Sequence, residues 1–278
     1  MPWVTRGLRE GIVTTRYPCR PDGYGVPFEG RVVCERGATG GDVDAAAAAC
    51  PTGAIAVDGA GARLDRGSCI LCGRCCDIAP RSFHFEPGFE TASLCRRALV
   101  VPAGEGDDET IARAREQLRE RVKGLRRSVH LRHVDAGSDG SEEWEIAALT
   151  GPIYDIQRLG VFFTASPRHA DVLLATGVCT AGMQASLRLT YEAMPSPKVV
   201  IAVGTDAVSG GLVGGTYASG QGVAGTVPVD VFVPGSPPSP FGILYGILLA
   251  VGLVGEAPGG AAARPSQDRA AEREGMAS

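Results

Sequence analysis

Cysteine spacing gives this sequence its clearest chemistry. Cys69, Cys72 and Cys75 form a C-x2-C-x2-C run, and Cys50, which is followed by proline, lies upstream of it. Such a run places three thiolates on one tight loop, where they can bind three irons of a cubane cluster, while a cysteine before a proline supplies the fourth ligand. The alternating residues 54–64 predict a hairpin between the two motifs. We therefore expect these cysteines to bind one [4Fe–4S] cluster.

Zinc is the alternative metal for four clustered thiolates. The proline after Cys50 and the glycine after Cys72 favour an iron–sulfur cluster over zinc. Four further cysteines lack ligand spacing and are expected to be small buried or surface thiols: Cys19, Cys34, Cys76 and Cys95. Cys76 differs from the other three because it adjoins a predicted ligand.

Composition and charge are those of a globular protein. The chain has 278 residues, enough for two domains, and a formal net charge of -4, which gives no indication of a nucleic-acid partner. Nine cysteines without a secretory signal indicate a reducing compartment and metal ligation. The most apolar run, 241–254, is too short to span a bilayer and predicts a buried helix. Contact with a membrane would therefore require docking onto it or onto an integral partner.

Residues 1–35 mix short apolar groups with Arg, Pro and Gly, and are expected to form an extended docking arm. Residues 13–18 (VTTRYP) and 28–31 (FEGR) resemble the T-x-R/Q-Y-P and F-R-G elements that precede the clusters in the ferredoxin-type subunit I of respiratory complex I and its hydrogenase relatives. Without the neighbouring cysteine run, an ordinary surface arm would be the preferred interpretation.

Residues 36–102 are predicted to be a ferredoxin-like (α+β) module with an internal repeat. Cys50-Pro51 in the first half is echoed by Ala79-Pro80 in the second half. The resemblance to two-cluster ferredoxins implies that position 79 would ligate a second cluster, and the cysteine run that would complete that cluster is missing upstream of Cys50. Both losses remove the same cluster, so one [4Fe–4S] cluster is expected to remain.

Residues 103–128 are expected to be a linker helix. Apolar residues recur there at three- and four-residue spacing among Arg and Glu: Ile111, Ala114, Leu118, Val122 and Leu125. The basic end, Arg126-Arg127, is more simply a solvated face than a contact with phospholipid head groups. Residues 257–278 lack periodicity and are expected to form a disordered tail.

Strand and helix patterns alternate over residues 129–256, which predicts a parallel α/β sheet. Strand candidates, several of them continuous Val-rich runs typical of strands covered on both faces, are 129–134, 161–165, 172–176, 199–204 and 229–234. Helical patterns intervene at 141–150, 180–194 and 239–253. Loops at strand carboxyl ends are expected to converge, because ligands of open parallel sheets bind at that edge. These loops are 135–140, 204–206 and 234–238.

Residues 129–254 resemble the small electron-transfer subunit of group 4 nickel–iron hydrogenases and its small-subunit homologue in complex I. The matching segments are LTGPIYD (149–155), SPRHADVLL (166–174), YEAMP (191–195), PKVVIAVG (197–204), VPVDVFVPG (227–235) and LYG (244–246). The resemblance implies a flavodoxin-like α/β domain. Together with residues 36–102, it implies a fusion of a ferredoxin-type, subunit I-like module with a domain like the hydrogenase small subunit.

The chain departs from this family at the cluster ligands. Members hold a proximal [4Fe–4S] cluster with four cysteines in the strand-end loops, whereas the matching positions here are Asp139, Glu142, Asp206 and Ser236. Oxygen ligands replace soft thiolates poorly, and Cys179, one loop away, cannot rebuild the site alone, so this cluster is expected to be absent. The carboxylates could hold a hard cation or pair with a partner's arginine. Polar filling of a solvated strand edge is the plainer interpretation.

The resemblance implies an iron–sulfur electron-transfer subunit of a membrane-associated oxidoreductase related to complex I and energy-converting hydrogenases. The chain would be peripheral on the cytoplasmic face of the cell membrane, with a large catalytic-type subunit and integral membrane subunits as partners. No residue pattern predicts catalysis by the chain itself. Because the proximal cluster is expected to be missing, two alternatives stay open: a structural or redox-sensing scaffold subunit, and a soluble ferredoxin-like carrier with an inherited appendage.

Overall fold

The computed structural model describes residues 2–20, 28, 30–102, 107–123 and 128–255. The predicted tail at 257–278 and the basic pair Arg126-Arg127 lie outside these residues. The helices are α1 (Pro2–Glu10), α2 (Gly41–Ala49), α3 (Arg74–Ile78), α4 (Asp107–Arg121), α5 (Ser141–Ala148), α6 (Gln184–Ala193), α7 (Thr205–Ser209) and α8 (Pro240–Ala250). The strands are β1 (Arg31–Cys34), β2 (Ile55–Asp58), β3 (Gly61–Asp65), β4 (Phe83–Glu86), β5 (Val100–Val101), β6 (Val129–Asp135), β7 (Val161–Phe163), β8 (Val172–Thr176), β9 (Val199–Val203) and β10 (Val231–Val233).

A parallel sheet of five strands forms the larger part of the structure, in the order β10-β9-β8-β6-β7. This is the strand order of flavodoxin-like folds, in which the order reverses between the first and third strands, here β6 and β8. The prediction of a parallel α/β domain is therefore confirmed. The carboxyl ends of β6, β8, β9 and β10 bring the predicted strand-end loops to one edge of the sheet.

Both faces of this sheet are covered, which explains its continuous apolar strands. Every residue of β8 and β9 is buried. Alternate side chains point to opposite faces, so Leu174 and Ile201 belong to the core formed with α8, whereas Leu173 and Ala202 belong to the core formed with α6 and α7. All residues of α8 are buried, as expected for the apolar run at 241–254.

The cysteine-rich residues 31–86 follow the order β1-α2-β2-β3-α3-β4. Strands β1 and β4 pair antiparallel, and β2, β3 and β5 form a second antiparallel sheet. The repeat seen in the sequence corresponds to the two helix ends, because Cys50 caps α2 and Ala79 caps α3. The predicted hairpin is formed by β2 and β3.

The N-terminal arm differs from the expected extended conformation, because residues 2–10 form α1. Pro2 lies in the first turn, where its missing N–H costs nothing, and Arg6 pairs with Glu10 one turn later at 2.7 Å. Residues 21–27 and 29 lie outside the described residues. Farther along the chain, Leu118 of α4 is buried against the core that contains α8. Val122, which follows the helix, is buried in the same core.

Candidate functional site

The four predicted cluster ligands lie around one small cavity. Cys50 is the C-terminal cap of α2, Cys69 and Cys72 lie on the loop between β3 and α3, and Cys75 lies in α3. All four side chains line this cavity, together with Val32 of β1. The folding of both halves of the module therefore brings the Cys-Pro cysteine next to the C-x2-C-x2-C run.

The backbone around these cysteines directs amide groups at sulfur. Leu71 has a φ of 57° and Gly73 a φ of 76°, and these two left-handed residues turn the loop tightly after Cys69. The Leu71 N–H donates to Cys69 Sγ at 3.5 Å, and the Ala54 N–H donates to Cys50 Sγ at 3.3 Å. Hydrogen bonds of this kind stabilise ligating thiolates and tune iron–sulfur clusters.

Burial disfavours the thiolate form of two of these cysteines. It raises the pKa of Cys69 to about 11, although the Leu71 N–H opposes this, and it also raises the pKa of Cys75. A bound metal centre reverses the preference, because it ligates thiolates. In the described part of the chain, no three His, Cys, Asp or Glu side chains come close enough to hold a single metal ion. A [4Fe–4S] cluster takes one thiolate per iron, so four cysteines standing around a cavity fit that donor set.

Two other cysteines were noted in the sequence. Cys76 is half-buried beside Cys75, and burial, followed by the interaction with Cys75, raises the pKa of its thiol to about 12. Cys179 is buried in the loop after β8, with Sγ 3.2 Å from Thr226 Oγ1. Cys179 does not line the four-cysteine cavity.

Three of the four polar residues singled out in the second domain, Asp139, Glu142 and Asp206, lie close together. Glu142, in the first turn of α5, is only 1% exposed and packs on Gly204, where an added Cβ would overlap with its Oε1. Burial raises the pKa of Glu142 to about 7, and the charges of Asp206 and Asp139 add to this shift. Burial and the charge of Asp139 also raise the pKa of Asp206. The three carboxyl groups therefore repel one another when they are charged.

Asp139 and Ser236 are both exposed at the same edge of the sheet. The Ser141 N–H and hydroxyl donate to Asp139 Oδ1 at 2.9 and 2.6 Å, and these bonds hold the pKa of Asp139 below its usual value. Ser236 lies on the loop after β10, and the hydrogen bonds of the described residues do not join it to the carboxylates. The structure thus groups Asp139, Glu142 and Asp206, with Ser236 on the neighbouring loop.

A buried threonine, which sequence reasoning missed, connects the two sites. Thr205 has no exposed surface, and its hydroxyl donates to the Cys69 carbonyl at 3.1 Å and accepts the Gly235 N–H at 3.3 Å. Its own N–H donates to the Gly235 carbonyl at 2.7 Å. The cysteine loop is therefore held against the loop that carries Ser236. A threonine at the start of a helix gives no sequence signal of such a distant partner.

Comparisons with known proteins give a family match within the second domain. A family model described as NADH ubiquinone oxidoreductase, 20 Kd subunit, matches residues 140–250. Formate hydrogenlyase subunit 7 of Escherichia coli (strain K12) is 38% identical over 159 residues, which are 57% of this chain and 61% of that protein. The probable membrane-bound hydrogenase subunit mbhJ of Pyrococcus furiosus is 40% identical over 141 residues, which are 49% of this chain and 84% of that protein.

Among solved structures, the archaeal membrane-bound sulfane sulfur reductase complex contains a similar chain. It is 29% identical, with a TM-score of 0.41, over 47% of this chain and 75% of that chain. In the residues that the structure describes here, no helix has both the length and the apolarity needed to cross a bilayer.

Proposed function

The chain belongs to the NADH ubiquinone oxidoreductase 20 Kd subunit family, and from this premise we propose that it is an iron–sulfur electron-transfer subunit of a complex I-like or hydrogenase-like oxidoreductase. The proposal assigns one [4Fe–4S] cluster to the ferredoxin-like module, with Cys50, Cys69, Cys72 and Cys75 as ligands. Such a cluster supplies one-electron transfer when bound. The chain's own residues bind it, shield it and direct N–H groups at its ligands.

The observation that carries the proposal is the shared cavity of the four cysteines. Their spacing alone was compatible with zinc, but amides directed at Cys50 and Cys69 and a ring of thiols around a cavity suit a larger inorganic group. Three of the four cysteines are at least half-buried, which limits the access of water to the bound group. Burial and hydrogen bonds to sulfur are factors that set the potential of such clusters.

The second domain, in this proposal, docks the chain and does not relay electrons through a cluster of its own. Asp139, Glu142, Asp206 and Ser236 stand where the resemblance implies four cysteine ligands. Hard oxygen donors do not substitute for thiolates on iron–sulfur clusters. The chain would thus be a fusion of a subunit I-like module with a small-subunit-like domain that lacks the proximal cluster.

The partners we propose are a large catalytic-type subunit and integral membrane subunits, with the chain peripheral on the cytoplasmic face of the membrane. Two relatives support this assignment, since their names are those of a formate hydrogenlyase subunit and a membrane-bound hydrogenase subunit. This chain spans 61% of the first of them, so the activity of the whole assembly belongs to the proposal.

The decisive experiment is iron and acid-labile sulfide analysis of anaerobically purified protein, with EPR of the reduced sample. We expect about four irons and four sulfides per chain and one cubane-type signal. Cys72→Ser should abolish the signal, whereas Cys19→Ser, which changes an exposed cysteine without ligand spacing, should retain it.

Two outcomes would contradict the proposal. About eight irons per chain would mean that a second cluster exists without its usual cysteines. Iron near zero in a folded wild-type chain would remove the electron-transfer role and leave a structural scaffold subunit. Subunits that purify with a tagged chain test the proposed partners in the same preparation.

A further inference from the structure

Two arginines lie next to the cysteine cavity, and no spacing pattern in the sequence selects them. Arg31 begins β1 and Arg66 follows β3. Both line a second small cavity with Cys69 and Gly235, at the junction between the cysteine module and the parallel-sheet domain. This cavity is separate from the one that the four cysteines share, but Cys69 lines both.

The backbone holds Arg66 close to the cluster ligands. The Cys69 N–H donates to the Arg66 carbonyl at 3.3 Å, so Arg66 starts the turn that carries Cys69. The Arg66 guanidinium donates from Nε to the Val32 carbonyl at 3.1 Å, and Val32 itself lines the four-cysteine cavity. The Arg66 N–H is fixed by the Leu99 carbonyl at 2.8 Å. Both the backbone and the side chain of this arginine are therefore anchored inside the module.

Two carboxylates lie near the two arginines at this junction, because Arg31 interacts with Glu86 and Glu90, and Glu86 also acts on Arg66. The Arg31 side chain, 5% exposed, pairs with Glu86, whose carboxylate lies 2.7 Å from Nη2 and accepts a hydrogen bond from Nε at 2.9 Å. Arg31 Nη2 nevertheless makes no well-directed hydrogen bond within the described residues. The ion pairs found in that part of the chain include none for Arg66, and burial, then the charge of Arg31, lower its pKa to about 10.

Arg66 is partly buried and has no ion pair among the described residues, so a further negative charge beside it would offset its desolvation. A [4Fe–4S] cluster with four thiolate ligands has a net negative charge, and one-electron reduction makes that charge more negative. We propose that Arg66, supported by Arg31, is the counter-charge of the cluster and raises its reduction potential. This inference rests on the proposed function, and it adds the residues that influence the reduction potential of the proposed cluster.

The proposal concerns the reduction equilibrium, in which one electron is added and no bond is formed or broken. A guanidinium near Cys69 stabilises the reduced form more than the oxidised form, because the reduced form has one more negative charge. Removing the guanidinium therefore makes reduction harder. Removing the carboxylate of Glu86, which offsets Arg31, makes reduction easier. Opposite shifts from two neighbouring substitutions are not expected of a general structural disturbance.

The test is an EPR-monitored potentiometric titration of the full chain, with dithionite as the electron donor through mediators. At the wild-type midpoint potential, the Arg66→Gln protein should have a ratio of reduced to oxidised cluster at least tenfold lower than wild type. A tenfold change in this ratio corresponds to a midpoint potential more negative by about 59 mV for a one-electron couple. Arg66→Lys should recover most of this shift. Glu86→Gln should shift the ratio in the opposite direction, by a smaller factor because Glu86 is partly exposed. Arg63→Gln, at an exposed arginine on β3 that pairs with Asp58, is the matched control for lost charge.

The proposal would be overturned if Arg66→Gln, at full iron content, had the wild-type ratio of reduced to oxidised cluster. It would also be overturned if Arg63→Gln shifted this ratio as much as Arg66→Gln does. Where Arg66→Gln fails to retain iron, Glu86→Gln decides alone, because an unchanged or more negative midpoint overturns the inference. A wild-type chain without iron would instead refute the proposed function. Iron analysis distinguishes the absence of a cluster from the presence of a cluster whose midpoint potential does not depend on Arg66.

Discussion

The carboxyl group of Glu142 is unusual in this molecule, because it is buried without a cationic partner among the described residues. It packs on Gly204, lies 3.1 Å from the Ser141 hydroxyl, and has Asp206 and Asp139 as its charged neighbours. Burial and these like charges raise its pKa to about 7. A carboxyl in such surroundings is protonated over much of the acidic range in the folded state, and it ionises at a cost to stability.

Glu142 should therefore make the protein less stable as the pH rises. Its pKa is raised from 4.5 to about 7 in the folded state, so the stabilisation is fully present below pH 4.5 and is lost as the pH passes through about 7. Between pH 5 and pH 8, wild type should lose more free energy of unfolding than Glu142→Gln does, by on the order of 1–3 kcal/mol. Denaturant unfolding at both pH values measures this difference. Glu116→Gln, at an exposed position of α4, should show no such difference.

A Glu142→Gln variant with the wild-type pH dependence would show that the carboxyl is already compensated. The compensating group would then be a cation at the site or a partner's basic side chain. That outcome would reverse the plainer interpretation of the carboxylates, which the sequence alone favoured.

The cysteines follow a local sequence pattern, whereas their electrostatic surroundings do not. A C-x2-C-x2-C run has a local meaning, and the structure places all of its members with Cys50 around one cavity. Arg31 and Arg66 have no local pattern, because their importance comes from burial and from neighbours that are distant in sequence. The same limit applies to Thr205. Sequence reasoning finds residues whose spacing carries the chemistry, and misses residues that act through tertiary packing.

At the scale of elements, the strands and helices of the second domain were predicted closely. Buried strands such as β8 and β9 are short apolar runs between turn residues, and their burial on both faces makes the pattern unmistakable. The helix α1 was missed because Pro and Gly nearby indicate an extended arm, whereas its Arg6–Glu10 pair is a weak helical signal. Pairing order and the contact between the two modules depend on distant residues, which no local pattern reports.

The contact between the cysteine loop and the second domain depends on Thr205, so its hydroxyl should contribute to stability. Thr205→Val keeps the shape of the side chain but leaves the Cys69 carbonyl and the Gly235 N–H without this partner. Each unpaired buried group costs about 1–3 kcal/mol, and we expect a loss of that order in the free energy of unfolding. Hydrogen exchange at residues 69–72 should accelerate as well.

Thr150→Val is the matched control for this experiment. Thr150 is exposed, and its hydroxyl donates to the Ala147 carbonyl at 2.9 Å, so the same chemical change removes a bond that water can replace. Its effect should be within about 0.5 kcal/mol. An equal effect of the two substitutions would mean that Thr205 does not hold the modules together.

At the scale of the whole molecule, the two modules differ in how much apolar surface they bury. The core around the cysteines has twelve buried members among the described residues, and five of these are alanine, so its apolar area is small. The parallel sheet instead packs large aliphatic side chains on both faces. Beyond Thr205, Ser93 also connects the modules by pairing with Phe232 of the edge strand β10.

This asymmetry predicts what happens when the proposed cluster is removed. A small module commonly needs a metal centre as part of its folding free energy, whereas a large covered sheet does not. Treatment with chelator and oxidant should therefore accelerate amide exchange in β1 and β3 strongly, while exchange in β8 and β9 stays slow. Hydrogen-exchange mass spectrometry of treated and untreated protein measures both regions in one sample.

Two variants make this result specific to the proposed cluster ligands. Cys72→Ser without treatment should reproduce the exchange pattern of the stripped protein, and Cys19→Ser should not, because Cys19 lies outside the four-cysteine cavity. Equal protection of β1 in the loaded and stripped forms would show that the module folds without the cluster. Loss of protection in β9 as well would show that Thr205 and the Ser93–Phe232 bridge couple the modules into one cooperative unit. The stability of the parallel-sheet domain would then depend on the proposed cluster of the neighbouring module.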